Sequence, residues 1–154
     1  MKSPHPDPAI RTALAQRLAA EGREHPRLAL TIRHLDAGSC GGCELELRSL
    51  RAWQSGLAAY GIHFVDDPRT ANILLVTGVA TQSMAEPLRR TLDAMPDARL
   101  VVVIGDCAVD GGVFKDSPAV LGGVVRLVTV DLAVTGCPPA PEHIIDGLLA
   151  ALDP

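Results

Sequence analysis

Four cysteines carry the chemistry legible in this sequence. Cys40 and Cys43 stand in AGSCGGCELEL, residues 37–47, a glycine-rich turn followed at once by Glu44 and Glu46. Cys107 lies in IGDCAVDGG and Cys137 in VTGCPPAPE. Four thiols suffice for a redox dithiol, a zinc clip, two disulfides or a metal-cluster site, so their placement along the chain must decide. Each thiol has glycine or proline close by: Gly41, Gly42, Gly105, Gly136, Pro138 and Pro139. Glycine lets the backbone turn tightly and approach a bound group. N–H groups in such turns can donate to cluster sulfurs and tune a potential. Cys43 is expected at a helix N-terminus, which favours a thiolate.

The elements around these residues follow from hydrophobic periodicity. RLALTIRHL (27–35) reads as a first strand. The helix after the cysteine pair carries Leu47, Leu50, Trp53 and Leu57 on one face and stops near Gly61. IHFVDD is a short strand, and NILLVTG (72–78) and RLVVVIG (99–105) are continuous apolar strands of the fully buried kind. SMAE predicts a capping box, with Ser83 as N-cap, Glu86 three residues on and Pro87 in the first turn. RLVTVDLAVTG (126–136) reads as the last strand. APEHIIDGLLAAL closes the chain as a helix with Ile144, Ile145, Leu148, Leu149 and Leu152 in one stripe. Strand and helix alternate, which predicts an α/β sandwich on a mostly parallel sheet. Residues 27–154 form that domain. Residues 1–26 are a proline-rich extension with a short amphipathic helix carrying Ile10, Leu14 and Leu18.

All four cysteines then fall in loops that leave the carboxyl ends of parallel strands. Ligands of open α/β sheets bind at that edge. A thioredoxin-like dithiol would leave Cys107 and Cys137 unexplained. A four-thiolate zinc site suits the ligand number, although zinc ribbons usually bring two C-x-x-C knuckles. Inert core cysteines fit poorly among glycine and proline in loops. An iron–sulfur cluster and zinc both stay open on spacing alone.

Composition narrows the setting. The chain has 154 residues, 47% hydrophobic and only 3% aromatic, so Val, Leu, Ile and Ala must build one core. Net charge is −4 without a basic run, which leaves nucleic acid no electrostatic footprint. No apolar run is long enough for a membrane span, and no uninterrupted apolar h-region marks a secretory signal. The expected location is the cytoplasm, where four cysteines do not form two structural disulfides. The sequence has no G-x-x-x-x-G-K-[ST], no G-x-G-x-x-G and no Ser/His/Asp arrangement. Scarce aromatics also disfavour a flavin carrier.

Taken together, GSCGGCELE, IGDCAVDGGVF and GCPPAPEHIIDGLL resemble a known family, from about Arg33 to Leu152. It is the small cluster-bearing subunit shared by respiratory complex I, as its B subunit, and the membrane-bound energy-converting [NiFe] hydrogenases, including formate hydrogenlyase. The resemblance implies a single-domain flavodoxin-like doubly wound fold and one [4Fe–4S] cluster on Cys40, Cys43, Cys107 and Cys137. It implies electron transfer beside the active site of a large subunit, with a ferredoxin-like subunit in the same complex and membrane attachment only through partners on the cytoplasmic face. No catalysis is expected from this chain alone. Complex I subunits have two adjacent cysteines at the first position. This chain has C-x-x-C, like the hydrogenase small subunits, so the hydrogenase branch is favoured and quinone reduction is the alternative. The absence of further cysteines and of a twin-arginine signal fits the cytoplasmic, single-cluster type. A zinc-stabilised interaction module is the alternative from another class.

Other residues have plainer readings. Glu44 and Glu46 open a helix whose dipole favours negative charge. The family's acid after the second cysteine matches Glu46, which makes it the candidate proton relay. Asp106 and Asp110 are expected to cap local turns, and His34 to be a satisfied histidine. DGGVFKDS (110–117) reads as a loop, with Phe114 and Lys115 as interface candidates. Trp53 reads as core.

Overall fold

A computed structural model describes residues 30–52, 57–58, 61–97 and 99–150. The expected N-terminal helix, Trp53 and Leu152 lie outside them. Five strands, β1 (Leu30–Asp36), β2 (Ile62–Phe64), β3 (Ile73–Thr77), β4 (Leu100–Ile104) and β5 (Leu132–Val134), form one sheet in the order β2-β1-β3-β4-β5. Every neighbouring pair is parallel. That is the flavodoxin-like order, whose switch point lies between β1 and β3. Among the described residues it is flanked by the helices α1 (Gly42–Ala52), α2 (Gln82–Ala94), the short α3 (Asp106–Asp110) and α4 (Pro141–Ala150).

Side chains alternate across a strand, and here both faces are dry. Ile32, Ile73, Leu75, Val102 and Ile104 pack on one side against Leu47 and Leu50 of α1 and Ile144, Ile145 and Leu148 of α4. Leu35, Leu74, Val76 and Val103 pack on the other against Leu88 of α2, Ala108 of α3 and Val124. Central strands therefore read as unbroken apolar runs, and all five residues of β3 are buried. Among the described residues, no helix is long and apolar enough to cross a membrane.

Two local expectations are corrected. The strand expected over 126–136 shrinks to Leu132–Val134, because Asp131 starts the pairing with its own side chain. Its carboxylate accepts the Val101 N–H at 2.7 Å, while its N–H donates to the Val101 carbonyl at 2.9 Å. Before it, Val124–Arg126 form a 3-10 turn, and Val124, Val128 and Val130 cover the second face of the sheet. The apolar run is a coat on the sheet, which periodicity alone does not separate from a strand. The capping box over 83–86 does not form either. Thr81 is the N-cap of α2 and Ser83 lies inside the helix, so Pro87 falls in the second turn. Glu86 pairs with Arg89 at 2.6 Å and Arg90 at 2.9 Å instead of reaching back. The loop at 110–117 contains a further 3-10 turn, Gly112–Phe114.

Leu75 and Ile104 are fully buried in the same cluster. Leu75→Ala or Ile104→Ala is expected to lower the unfolding free energy by about 2–5 kcal/mol. Val113→Ala, at an 84% exposed position, should change it by less than about 0.5 kcal/mol. Urea titrations followed by circular dichroism measure all three.

Candidate metal centre

Cys40 and Cys43 follow β1, Cys107 follows β4 within α3, and Cys137 follows β5. The three loops meet above the carboxyl edge of the sheet, as the alternation of elements predicted. All four cysteines are free: Cys40 and Cys137 are exposed, Cys43 and Cys107 half-buried. Their proximity shows in their acidity. Burial first, then the Glu44 carboxylate, then Cys107, Cys40 and Cys137 push the Cys43 thiol up to about 12. Burial, Cys137, Cys40 and the carboxylates of Asp106 and Asp110 raise the Cys107 thiol. The thiolate expected at Cys43 from the helix N-terminus is therefore not favoured in the metal-free chain. Desolvation and like-charged neighbours outweigh the dipole.

Two close approaches explain the glycines. Gly105, at φ +90°, ends β4. A Cβ there would stand 2.6 Å from the Cys43 sulfur, so the sulfur of the first loop lies against the backbone of the second. Gly78, at φ +80°, ends β3, and a Cβ there would meet the Ser39 nitrogen at 2.4 Å. The cysteine turn passes directly over that position. The Cys107 sulfur lies beside Gly112, and Pro138 borders Gly42. The Cys137–Pro138 peptide is cis.

The second and third loops are tied together. The Asp106 N–H donates to the Gly136 carbonyl at 2.9 Å, and the Gly136 N–H donates to Asp106 Oδ1 at 2.8 Å. The Gly105 N–H also reaches the Val134 carbonyl at 2.8 Å. Asp106 thus joins two cysteine loops, a larger role than the local turn expected of it. Asp110 keeps the local role and accepts the Gly112 N–H at 2.8 Å.

The acids after Cys43 divide differently from the sequence expectation. Glu44 is half-buried and bonded: it accepts the Ser39 hydroxyl at 2.5 Å and the Thr77 hydroxyl. Glu46 is half-buried and makes no hydrogen bond or ion pair among the described residues. His34 is satisfied, as expected, with Nε2 2.9 Å from Thr77 Oγ1. Burial pushes its pKa down, while Glu44 and Asp36 oppose the shift. Thr77 and Ser39 escaped the sequence reading. The signal for Thr77 was a hydroxyl at the carboxyl end of the otherwise apolar NILLVT.

Among the described residues, no three or more His, Cys, Asp or Glu side chains could hold one metal ion. The thiols are near enough to influence one another's charge without closing on a point. Four thiols from three loops, with glycine backbone against two sulfurs, fit the demands of a cluster cradle.

Comparison with known proteins agrees with this architecture. The family model for the NADH ubiquinone oxidoreductase 20 Kd subunit matches residues 40–151. A Pyrococcus furiosus protein named as a membrane-bound hydrogenase subunit is 38% identical over 78% of this chain and 72% of its own length. A Bacteroides thetaiotaomicron protein named for NADH-quinone oxidoreductase is 41% identical over 73% of this chain, which spans only 57% of that protein. A chain of the archaeal membrane-bound sulfane sulfur reductase superposes with a TM-score of 0.68 at 25% identity, covering 89% of this chain and 73% of that one.

Removing the Asp106 carboxylate strands the Gly136 N–H. Asp106→Ala is expected to destabilise the metal-free chain by about 1–3 kcal/mol. Asp106→Asn keeps an acceptor and should recover most of the loss. Chemical denaturation under reducing conditions reads both.

Proposed function

The chain belongs to the NADH ubiquinone oxidoreductase 20 Kd subunit family, and from that membership we propose that it is an electron-transfer small subunit of a multi-subunit, membrane-associated oxidoreductase. In this reading it holds one [4Fe–4S] cluster on Cys40, Cys43, Cys107 and Cys137, next to the active site of a large subunit. The observation that carries the proposal is the meeting of four free thiols, from three loops, at the carboxyl edge of a parallel sheet.

When bound, the cluster supplies one-electron transfer, at a potential set by its ligands, burial and hydrogen bonds to sulfur. The protein's own contribution is positioning. Asp106 fixes the Cys107 and Cys137 loops to each other. Gly105 and Gly112 lay backbone beside two of the sulfurs. Glu46, half-buried and unpaired among the described residues, is the proton-relay group of this reading. Bond-making chemistry belongs to the large subunit. That partner would cover apolar side chains near the cysteine loops: Leu45 is 61% exposed, Val113 84% and Phe114 41%. Lys115 would lie at the rim. A ferredoxin-like subunit would exchange electrons with the cluster, and attachment to the cytoplasmic face of the membrane would run through partners.

The first two cysteines favour an energy-converting [NiFe] hydrogenase, because the complex I pattern has them adjacent and this chain spaces them as C-x-x-C. Identities of 38% and 41% to relatives named for the two activities do not separate the branches. The second reading is therefore a complex I-like subunit passing electrons to quinone. Two C-x-x-C pairs for nickel in the large subunit would select the hydrogenase.

Anaerobically purified protein is expected to contain about four iron and four acid-labile sulfide per chain. Dithionite should produce an EPR signal that Cys107→Ser and Cys137→Ser abolish or alter. Stoichiometric zinc without sulfide would replace this proposal with a zinc-stabilised interaction module.

A further inference from the structure

The turn that carries Cys40 and Cys43 is bolted down by a carboxylate that ligates nothing. Glu44, on the first turn of α1, faces inward. One of its oxygens accepts the Thr77 hydroxyl from the end of β3, and the other accepts the Ser39 hydroxyl at 2.5 Å. Ser39 Oγ in turn accepts the Gly41 N–H at 3.0 Å. Asp36 secures the start of the turn, its Oδ1 accepting the N–H groups of Gly38 at 2.8 Å and Ser39 at 2.7 Å. The segment from Ser39 to Glu44 is thereby closed on itself and tied to β1 and β3, the two strands that flank the switch point of the sheet.

Thr77 is 0% exposed, the one fully buried polar residue among those described. Its hydroxyl has one proton, and that proton goes to Glu44. The neighbouring Nε2 of His34 must then be a donor. His34 therefore holds the Thr77 oxygen in place and aims its proton at the carboxylate.

Glu44 sits inward, its side chain only 16% exposed, bonded to hydroxyls from the cysteine turn and from β3. A glutamate serving only the helix dipole would do so from solvent. Glu86, by contrast, stays at the surface and pairs with Arg89 and Arg90. Glu44 has instead two hydroxyl partners, Ser39 and Thr77, and His34 Nε2 lies 3.9 Å from its Oε1.

We propose that Glu44 is a positioning residue for the Cys40–Cys43 pair, acting through Ser39 and Thr77, with His34 orienting the Thr77 hydroxyl. The proposal rests on the reading that these cysteines hold an iron–sulfur cluster, and adds the group that presets half of its cradle. Groups that orient metal ligands typically change metal affinity by about 10–100-fold when removed.

The test uses the full chain loaded anaerobically with ferrous iron and sulfide. Ser39→Ala and Thr77→Val are expected to lose iron to a chelator at least about tenfold faster than the unmodified chain. Their reduced EPR g values should shift, because the turn no longer fixes two of the ligands. Thr77→Ser keeps the hydroxyl and should restore both the rate and the g values, which a general packing defect would not allow. Asp67→Ala, which breaks an exposed pair with Arg69, should leave both unchanged. If Thr77→Val fails to fold, as judged by circular dichroism, Ser39→Ala on the half-buried turn decides. Unchanged release and unchanged g values in Ser39→Ala and in any folded Thr77→Val would overturn the proposal while leaving the cluster reading intact. Failure of the unmodified chain to take up iron and sulfide would overturn both.

Discussion

Burial and neighbouring charge both oppose ionisation of the two half-buried thiols at this edge, Cys43 and Cys107. Each thiolate would raise the energy of the next, and burial removes the water that would otherwise screen them. The effect of that arrangement is seen in Cys43, pushed up to about 12, and in the raised Cys107. In the proposed reading, cationic iron would reverse the balance, since thiolates around positive charge attract it instead of repelling one another. A fold that gathers these sulfurs must therefore supply rigidity from elsewhere until the charge arrives. Much of the described structure answers that need.

The rigidity comes in layers. The sheet is buried on both faces, and its central strand β3 has no exposed residue. Loops leaving β1, β4 and β5 start from a platform that cannot shift without opening the core. Backbone and carboxylate bonds then join the loops to one another. Asp106 connects the Cys107 and Cys137 loops, whereas Glu44 connects the Cys40–Cys43 turn to β3. The two carboxylates stand directly beside cysteines, where their charge is unhelpful to a thiolate. Their hydrogen bonds account for both positions. The site thus has two independently fixed halves, meeting where the Cys43 sulfur lies against Gly105.

Much of this was legible in the sequence because the cysteines follow apolar runs. NILLVT and LVVVI are unambiguous as buried parallel strands, and placing a thiol shortly after a strand fixes its edge without any knowledge of side-chain geometry. Leu47, Leu50, Ile144, Ile145 and Leu148 likewise announced their faces, and all are buried. The reading failed where several solutions share one local pattern. Residues 126–131 are apolar enough for a strand but lie over the sheet as cover. Ser83 and Glu86 have capping-box spacing, yet the helix starts earlier, and two nearby arginines outcompete a backbone N–H for the glutamate. Spacing also could not tell which of Glu44 and Glu46 turns inward. That choice depends on Thr77, 33 residues beyond Glu44 and in neither motif nor stripe. Its hydroxyl needs a partner in a dry site.

The division between those two acids bears on how electrons and protons are handled at one edge. A carboxylate already accepting two hydroxyls is held in place, and movement would break the turn it secures. That makes Glu44 a poor carrier and a good anchor. Glu46 lies further along the same helix, half-buried, with no competing bond among the described residues. It secures no cysteine turn. In the proposed reading, placing the fixed acid next to the sulfurs and the relay acid beyond it would separate geometry from proton exchange. An electron carrier placed as proposed, beside another subunit's active site, would need that separation, because a cradle that moved with every proton would alter its own potential.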